Sequence, residues 1–247
     1  LLVPYFSWQR SHSVHHAKTN HLDEGETHVP GRAIDRDAEP RRRGPIRANL
    51  AAAWAVATAL LVGWPAYLLF GASGGPARGR TNHFWPVRPF VLAVVVLLAA
   101  WALAAGSVVP VLALYVGPYL VVNAWLVTYT WLQHTDVDVA HYADPEWSWL
   151  RGAFQTVDRP YGRVVDLLHH RIGSTHVAHH IDHRIPHYHA DRATQAIRAA
   201  FPEWYRFDPT PVPVALWRVG RECIAVQDHQ VGWYFTDPAA SGADAPP

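Results

Sequence analysis

Six histidines crowd into residues 171–190, "RIGSTHVAHHIDHRIPHYHA": His176, His179, His180, His183, His187 and His189. The first three are spaced H-x-x-H-H, and the same spacing occurs 164 residues earlier at His12, His15 and His16 in "SHSVHHAKTN". On a helix, positions i, i+3 and i+4 share a face, so each copy points three imidazoles at roughly one place. Two such helices can supply six nitrogen ligands, enough for two metal ions with open positions. Neutral imidazole suits Fe, Zn, Cu and Ni alike. So many potentially cationic rings are costly to collect unless a metal holds them neutral, and the metal in turn favours the free ring nitrogen. One copy would be a weak signal. Two copies, each beside an apolar run, favour metal binding.

Other residues stand near these clusters. His134 in "WLQHTD" lies where the second apolar run ends; its position leaves open whether it is a ligand or an ordinary interfacial histidine. Asp136, Asp182 and His170 are candidates for orienting a ligand ring from behind, as carboxylates and other acceptors commonly do. His183, His187 and His189 follow the second cluster, beyond the helix that Pro186 should terminate, and read as supporting or surface residues. His28, His83, His141 and His229 are isolated and read as solvated or capped. Cys223 is the only cysteine, so no intramolecular disulfide or CxxC knuckle exists and any metal rests on His, Asp or Glu.

Competing chemistries lack their signatures. HExxH is absent, which argues against a zincin protease. "GASGGP" at 71–76 has neither GxGxxG spacing nor a preceding strand, so it is not a nucleotide loop. A formal net charge of +1 and no basic stripe argue against nucleic acid. The twelve tryptophans, Trp85 among them, suit packing and interfacial anchoring better than base stacking.

The elements that must position these side chains are apolar helices. Ala48–Phe70 runs 23 residues and Phe90–Leu132 runs 43 without a charged residue, against the roughly 20 that a membrane-crossing helix needs. Gly63 and Pro65 should bend the first run. The second is too long for one crossing, and Gly106, Ser107 and Pro110 divide it. If both histidine clusters serve one site, an even number of crossings must separate them. The expectation is therefore spans at 48–70 and 108–132, with 90–105 re-entrant or interfacial. Residues 5–28 look helical. Arg41, Arg42, Arg43 and Arg47 before the first span favour a cytoplasmic location for the histidines, although Arg78, Arg80 and Arg88 make the charge bias modest. The chain contains no methionine and opens on Leu1 within "LLVPYF", which reads as a piece lacking its natural start. The expected fold is an all-α integral membrane protein, 1–247 forming one domain. It would be a transmembrane bundle with a cytoplasmic helical cap, from 1–47 and 133–247, carrying a His-ligated di-metal site.

The stretches "LLVPYFSWQRSHSVHH", "NAWLVTYTWLQHTD", "HYADPEWSWLRGAFQTVDRPYG", "THVAHHIDHRIPHYHADRATQAI" and "WYRFDPTPVPVALWRVGRECI" resemble the membrane fatty acid desaturases, most closely the oleate (Δ12, omega-6) type. The resemblance implies three histidine boxes binding two irons on the cytoplasmic side. His12, His15 and His16 match the second box; His176, His179 and His180 match the third; His134 looks like the extra ligand found after the last span. The first box, of H-x-x-x-H type, has no match here and is expected upstream of Leu1. The insertion at 31–44 is a milder departure.

The chemistry so implied is insertion of a cis double bond into a lipid-linked acyl chain, using O2 and two electrons. An unactivated chain requires a redox metal, for which zinc does not serve. Because the sequence has no flavin or haem motif, the electrons imply a partner of cytochrome b5 or ferredoxin type. A related hydroxylase, epoxygenase or acetylenase is the alternative within enzymes. A metal transporter, sensor or non-catalytic relative is the alternative outside them, although transporters place ionisable ligands within their spans and neither apolar run contains one.

Overall fold

The computed structural model describes residues 4–33, 44–84, 88–229 and 232–235. Among these the structure is mostly helical, with one antiparallel pair of two-residue strands, β1 (Gln227–Asp228) and β2 (Trp233–Tyr234). Trp85 and Arg41–Arg43 lie outside the described residues.

Helix α1 spans Tyr5–Ala17 and carries the first histidine cluster. It stops well short of residue 28: Lys18 leaves helical geometry (φ −132°) and Asn20 then takes a left-handed conformation (φ 53°), a region asparagine tolerates better than most residues. Residues 18–28 are turns instead. Helix α2 covers Pro45–Phe70, with proline in its first turn and Gly71 (φ 64°) as its left-handed C-cap. Helix α3 covers Arg88–Ala104. After a tight turn at Gly106 (φ 63°), helix α4 runs over Val109–His134, with a π-helical turn at Leu112–Val116. By length and composition α2 and α4 are candidate membrane spans, while the apolar stretch Ala93–Ala104 of α3 is shorter.

Helices α2 and α4 interlock through Asn123, which is fully buried. Pro65 weakens the ladder of α2, and the Asn123 amide enters it one residue earlier. Its Oδ1 accepts the Trp64 N–H at 2.8 Å, while its Nδ2 donates to the Leu60 carbonyl. One side chain thus takes over both ends of a backbone bond, a recognised cause of helix bending. At Gly63 an added Cβ would meet Val127 at 3.0 Å, so the glycine lets the two helices approach closely.

The polar remainder comprises α5 (Trp149–Phe154), α6 (Arg163–Leu168), α7 (His176–Ile181), α8 (His187–Ala200) and α9 (Val212–Glu222). Helix α7 carries the second H-x-x-H-H, and Pro186 serves as the N-cap of α8. Leu132, Ala215, Leu216 and Val219 form a small core that fastens α9 to the end of α4. Leu22, Val226 and Phe235 fasten the turn after α1 to the C-terminal segment. Cys223 packs against both clusters and so links the turn after α1 to the end of α4.

Candidate metal centre

The two H-x-x-H-H helices do not each aim at one place. Ring nitrogens of His12, His16 and His179 lie within 4.8 Å of one another, and so do those of His15, His134 and His180. On α1 the i and i+4 residues join one group while the i+3 residue joins the other; on α7, His179 and His180 divide the same way. About 100° of helix rotation per residue explains the split, since neighbours on a helical face still diverge. The groups adjoin, the His16 and His180 rings stacking with centroids 4.3 Å apart. His176 completes the second group, its Nε2 3.0 Å from His134 Nε2, which is also 3.1 Å from His15 Nε2.

These contacts fit shared ions better than hydrogen bonds. Nitrogens bound to one ion at about 2.1 Å, at right to tetrahedral angles, come within about 3.0–3.4 Å of each other. His134 Nε2 faces two other Nε2 atoms at once, and a neutral ring nitrogen has either one proton or one lone pair there. His16 Nδ1, His134 Nδ1, His176 Nδ1 and His180 Nε2 are buried without a hydrogen-bond partner. For His180 the network assigns the tautomer. Thr19 Oγ1 donates to the His15 carbonyl at 2.8 Å, leaving its oxygen to accept His180 Nδ1–H at 3.1 Å. That leaves the Nε2 lone pair of His180 facing its neighbours.

Electrostatics keep the rings neutral. Burial, reinforced by repulsion from the other rings, holds His15, His176 and His180 well below the usual imidazole range. The same causes bring His16 to about 3 and His179 to about 4. At neutral pH all of these lone pairs are available to an ion.

Two buried arrangements hold the rings in place. Asp158 Oδ1 accepts the Val177 N–H in the first turn of α7 at 2.8 Å, and Oδ2 accepts the Tyr205 hydroxyl at 2.8 Å. Beyond His134, Asp136 and Asp208 pair with Arg159 and Arg218, Arg159 being fully buried. Arg159 N–H also donates to Gly173 O at 2.8 Å, and Gln133 Nε2 to Ile172 O at 3.0 Å, joining the end of α4 to the loop before α7.

All seven expected ligands therefore converge, while the expected supporting residues do not touch them. Asp136 is turned to Arg159 (3.2 Å) and Arg218 (2.5 Å), because a buried carboxylate next to two guanidinium groups is better matched by charge than by a neutral ring. Asp182 pairs with Arg184 at 2.8 Å, and His170 packs against His187 with centroids 4.4 Å apart. His183 lies closer, 5.5 Å from the His16 ring. His83 and His141 are buried rather than solvated. The His28 ring lies parallel to His134 at 6.4 Å. Asp158, Arg159 and Thr19 carried no local signal in the sequence, since each acts on a partner distant along the chain or through a loop.

The family model for fatty acid desaturases matches residues 1–210. The chain belongs to the fatty acid desaturase family. It is 42% identical to a Glycine max protein named omega-6 fatty acid desaturase, endoplasmic reticulum isozyme 2, over 95% of this chain and 65% of that protein. It is 40% identical to the Delta(12)-fatty-acid desaturase of Arabidopsis thaliana over the same shares. To the Delta(12) fatty acid desaturase of Mortierella alpina it is 37% identical, over 93% of this chain and 64% of that protein. The chain spans about two thirds of the length of the curated relatives it matches. For a member of this membrane-bound family, the two histidine groups, one fully and one partly buried, are compatible with a metal centre.

Proposed function

We propose that this desaturase inserts a cis double bond at Δ12 of a lipid-linked oleoyl chain, at a centre of two irons held by His12, His15, His16, His134, His176, His179 and His180. The observation that carries this reading is the paired histidine groups, each fed by both boxes. The names of the relatives support the position of the double bond. The overall change is R–CH2–CH2–R′ + O2 + 2 e− + 2 H+ → R–CH=CH–R′ + 2 H2O. Iron bound here supplies the redox chemistry with O2 that removal of two unactivated hydrogens requires.

The chain's own residues prepare the place. His12, His16 and His179 hold one ion and His15, His134, His176 and His180 the other. Thr19 keeps His180 protonated at Nδ1 and thus free to bind through Nε2. His15, His134, His176 and His180 are all buried, which excludes bulk water from that side of the centre. The site lies on the cytoplasmic face of a membrane-embedded helical bundle; electrons come from a cytochrome b5 or ferredoxin type donor. Expression of the whole gene product in cells rich in oleate, followed by fatty acid profiling, tests the reading. Linoleate is expected. A hydroxylated or epoxidised product in its place would overturn the assignment of reaction while leaving the metal site standing.

A further inference from the structure

Glu26, Tyr67, Ser11 and His83 form a polar cluster outside the histidine groups. Glu26 and His83 are buried, 9% and 4% exposed. The Tyr67 hydroxyl donates to Glu26 Oε1 at 2.7 Å, and the Ser11 hydroxyl is hydrogen-bonded to the same carboxyl. Ser11 Oγ also lies 2.8 Å from His83 Nε2. On its other side the His83 ring places Nδ1 3.3 Å from the Leu68 carbonyl. Helix α1, the turn after it, the end of α2 and the loop leaving α2 therefore meet at four side chains.

The hydrogens available fix the state of the cluster. A carbonyl only accepts, so His83 Nδ1 carries a hydrogen, and Nε2 of the neutral ring offers a lone pair. Ser11 must then donate to His83, which leaves its oxygen to accept from Glu26, and only a protonated carboxyl can donate there. The other complete arrangement puts that hydrogen on the ring: a His83 imidazolium donates to Ser11, and Ser11 donates to the Glu26 carboxylate. The two differ by the position of one proton, passed through the Ser11 hydroxyl. With that proton gone, Ser11 has one hydrogen for two buried acceptors. The uncharged arrangement is favoured, since burial raises the Glu26 carboxyl to about 7 and lowers the His83 ring. Facing Glu26 are Tyr67 from α2 and, from the loop after it, Arg78, whose guanidinium is held by the Glu24 carbonyl at 2.8 Å and opposes the rise least. Facing His83 is the Tyr67 ring, with centroids 4.6 Å apart.

The cluster is joined to the first histidine triplet in two ways. Ser11 immediately precedes His12 and lies one turn before His15 on α1. Tyr67 also stacks on Trp64 at 5.4 Å, Trp64 meets Trp8 edge-on at 6.5 Å, and Trp8 stacks on His12 at 4.9 Å. We propose that Glu26 and His83 share one proton through Ser11, and that this proton positions His12 for its ion. When the proton leaves, Ser11 cannot hold both acceptors. Helix α1 gives way there, because Tyr5 and Phe6 in its first turn are exposed and unanchored by a core, and His12 moves away from His16 and His179. Glu26 and His83 are thus positioning residues, acting through Ser11 and not on the reacting atoms. The inference rests on the reading that His12, His16 and His179 hold an ion, and its test reads no turnover.

The test is Co(II) titration of the whole protein, followed by absorption, at pH values on either side of neutrality. The His16 and His179 rings, at about 3 and about 4, stay neutral throughout, so the ligands themselves give no fall in affinity as pH rises. Wild-type affinity should nevertheless drop about tenfold on going to the alkaline side, the lower end of what loss of a supporting partner costs. Glu26→Gln should keep the acid-side affinity throughout, because its amide donates to Ser11 as the protonated carboxyl does while its oxygen accepts from Tyr67. Ser11→Ala should bind about tenfold more weakly on both sides, and Ser11→Thr should restore the wild-type profile. A flat wild-type profile, or an equal drop in Glu26→Gln, would overturn the proposal. Infrared pH-difference spectra read the proton without any metal: a protonated-carboxyl band should bleach as pH rises, shift in Ser11→Ala and vanish in Glu26→Gln. If Glu26→Gln fails to fold, the shift in Ser11→Ala still assigns the band, and a wild-type spectrum without it refutes the shared proton. Cobalt taken up by none of these proteins would overturn the metal reading, and the positioning of His12 with it, while the infrared result still judges the proton.

Discussion

Removing the Asp158 carboxylate should loosen α7 and with it three of the proposed ligands. Asp158 is fully buried, its two oxygens taking the Val177 N–H and the Tyr205 hydroxyl, both at 2.8 Å. Burial raises its carboxyl to about 6, so it is ionised at neutral pH, and both bonds are charge-assisted. In Asp158→Ala, the Val177 N–H remains buried without an acceptor, while half-exposed Tyr205 turns to water. Hydrogen bonds to a charged group are worth about 1.5–3 kcal/mol each and an orphaned buried donor costs about 1–3. The expected loss is therefore about 3–5 kcal/mol, or roughly 10 °C in Tm at about 2–4 °C per kcal/mol for a chain of this size. Asp158→Asn keeps an acceptor for Val177, removes a buried charge and lets the Tyr205 hydroxyl reverse, so it should lose about 1 kcal/mol or less. Thermal unfolding and iron content, measured together on protein purified in detergent, read both effects. If Asp158→Ala kept the wild-type Tm and iron content, the claim that this carboxylate positions α7 would be refuted.

Three further outcomes follow from the same contacts. Thr19→Val removes the acceptor that fixes the His180 tautomer and should weaken metal binding by about 10–100-fold in an Fe(II) or Co(II) titration, with Thr19→Ser restoring it; unchanged affinity would show that Thr19 does not set the tautomer. Burial raises the Glu26 carboxyl to about 7, against the opposing bonds from Tyr67 and Ser11. A value raised by folding means that the native state holds the proton more tightly, so stability falls as pH rises from about 4.5 to about 7, by about 3 kcal/mol in all. The buried histidines act in the opposite sense, their depressed values lowering stability as pH drops below about 6.5, so the readout is the difference between wild type and Glu26→Gln. Denaturation curves that stay parallel across that window would contradict the assignment. Asn123→Leu leaves the Trp64 N–H and Leu60 carbonyl without their partner, at about 1–3 kcal/mol each; an unchanged Tm would mean that the α2 ladder closes on itself.

Much of the centre was legible because its geometry is local. An i, i+3, i+4 spacing keeps side chains near one helical face whatever the rest of the chain does, and α1 and α7 each bring three imidazoles into the cluster, though not to one place. The division of each triplet between two groups was not legible, since it depends on how the two helices face each other. His134 was visible by its place at the end of an apolar run. Asp136 was visible as a carboxylate near a ligand, but its partners Arg159 and Arg218 lie 23 and 82 residues away, and no spacing rule connects them. His83 and His141 illustrate the same limit, because an isolated histidine in a loop carries no sign of whether distant segments will bury it. Hydropathy gave the number and length of the apolar helices; the packing of α2 depends on Tyr67, Ala52 and the loop after Gly71, whose partners come from the opposite end of the chain or from the segment before it.

Seven histidines that hold two irons have a direct readout. The most direct measurement is the metal content of the whole protein purified from membranes, by elemental analysis with Mössbauer spectroscopy of iron-57-loaded samples. Two irons per chain in nitrogen-rich surroundings are expected, with His16→Ala and His180→Ala each losing iron while still folding. Stoichiometric zinc without iron, or full iron in both variants, would contradict it.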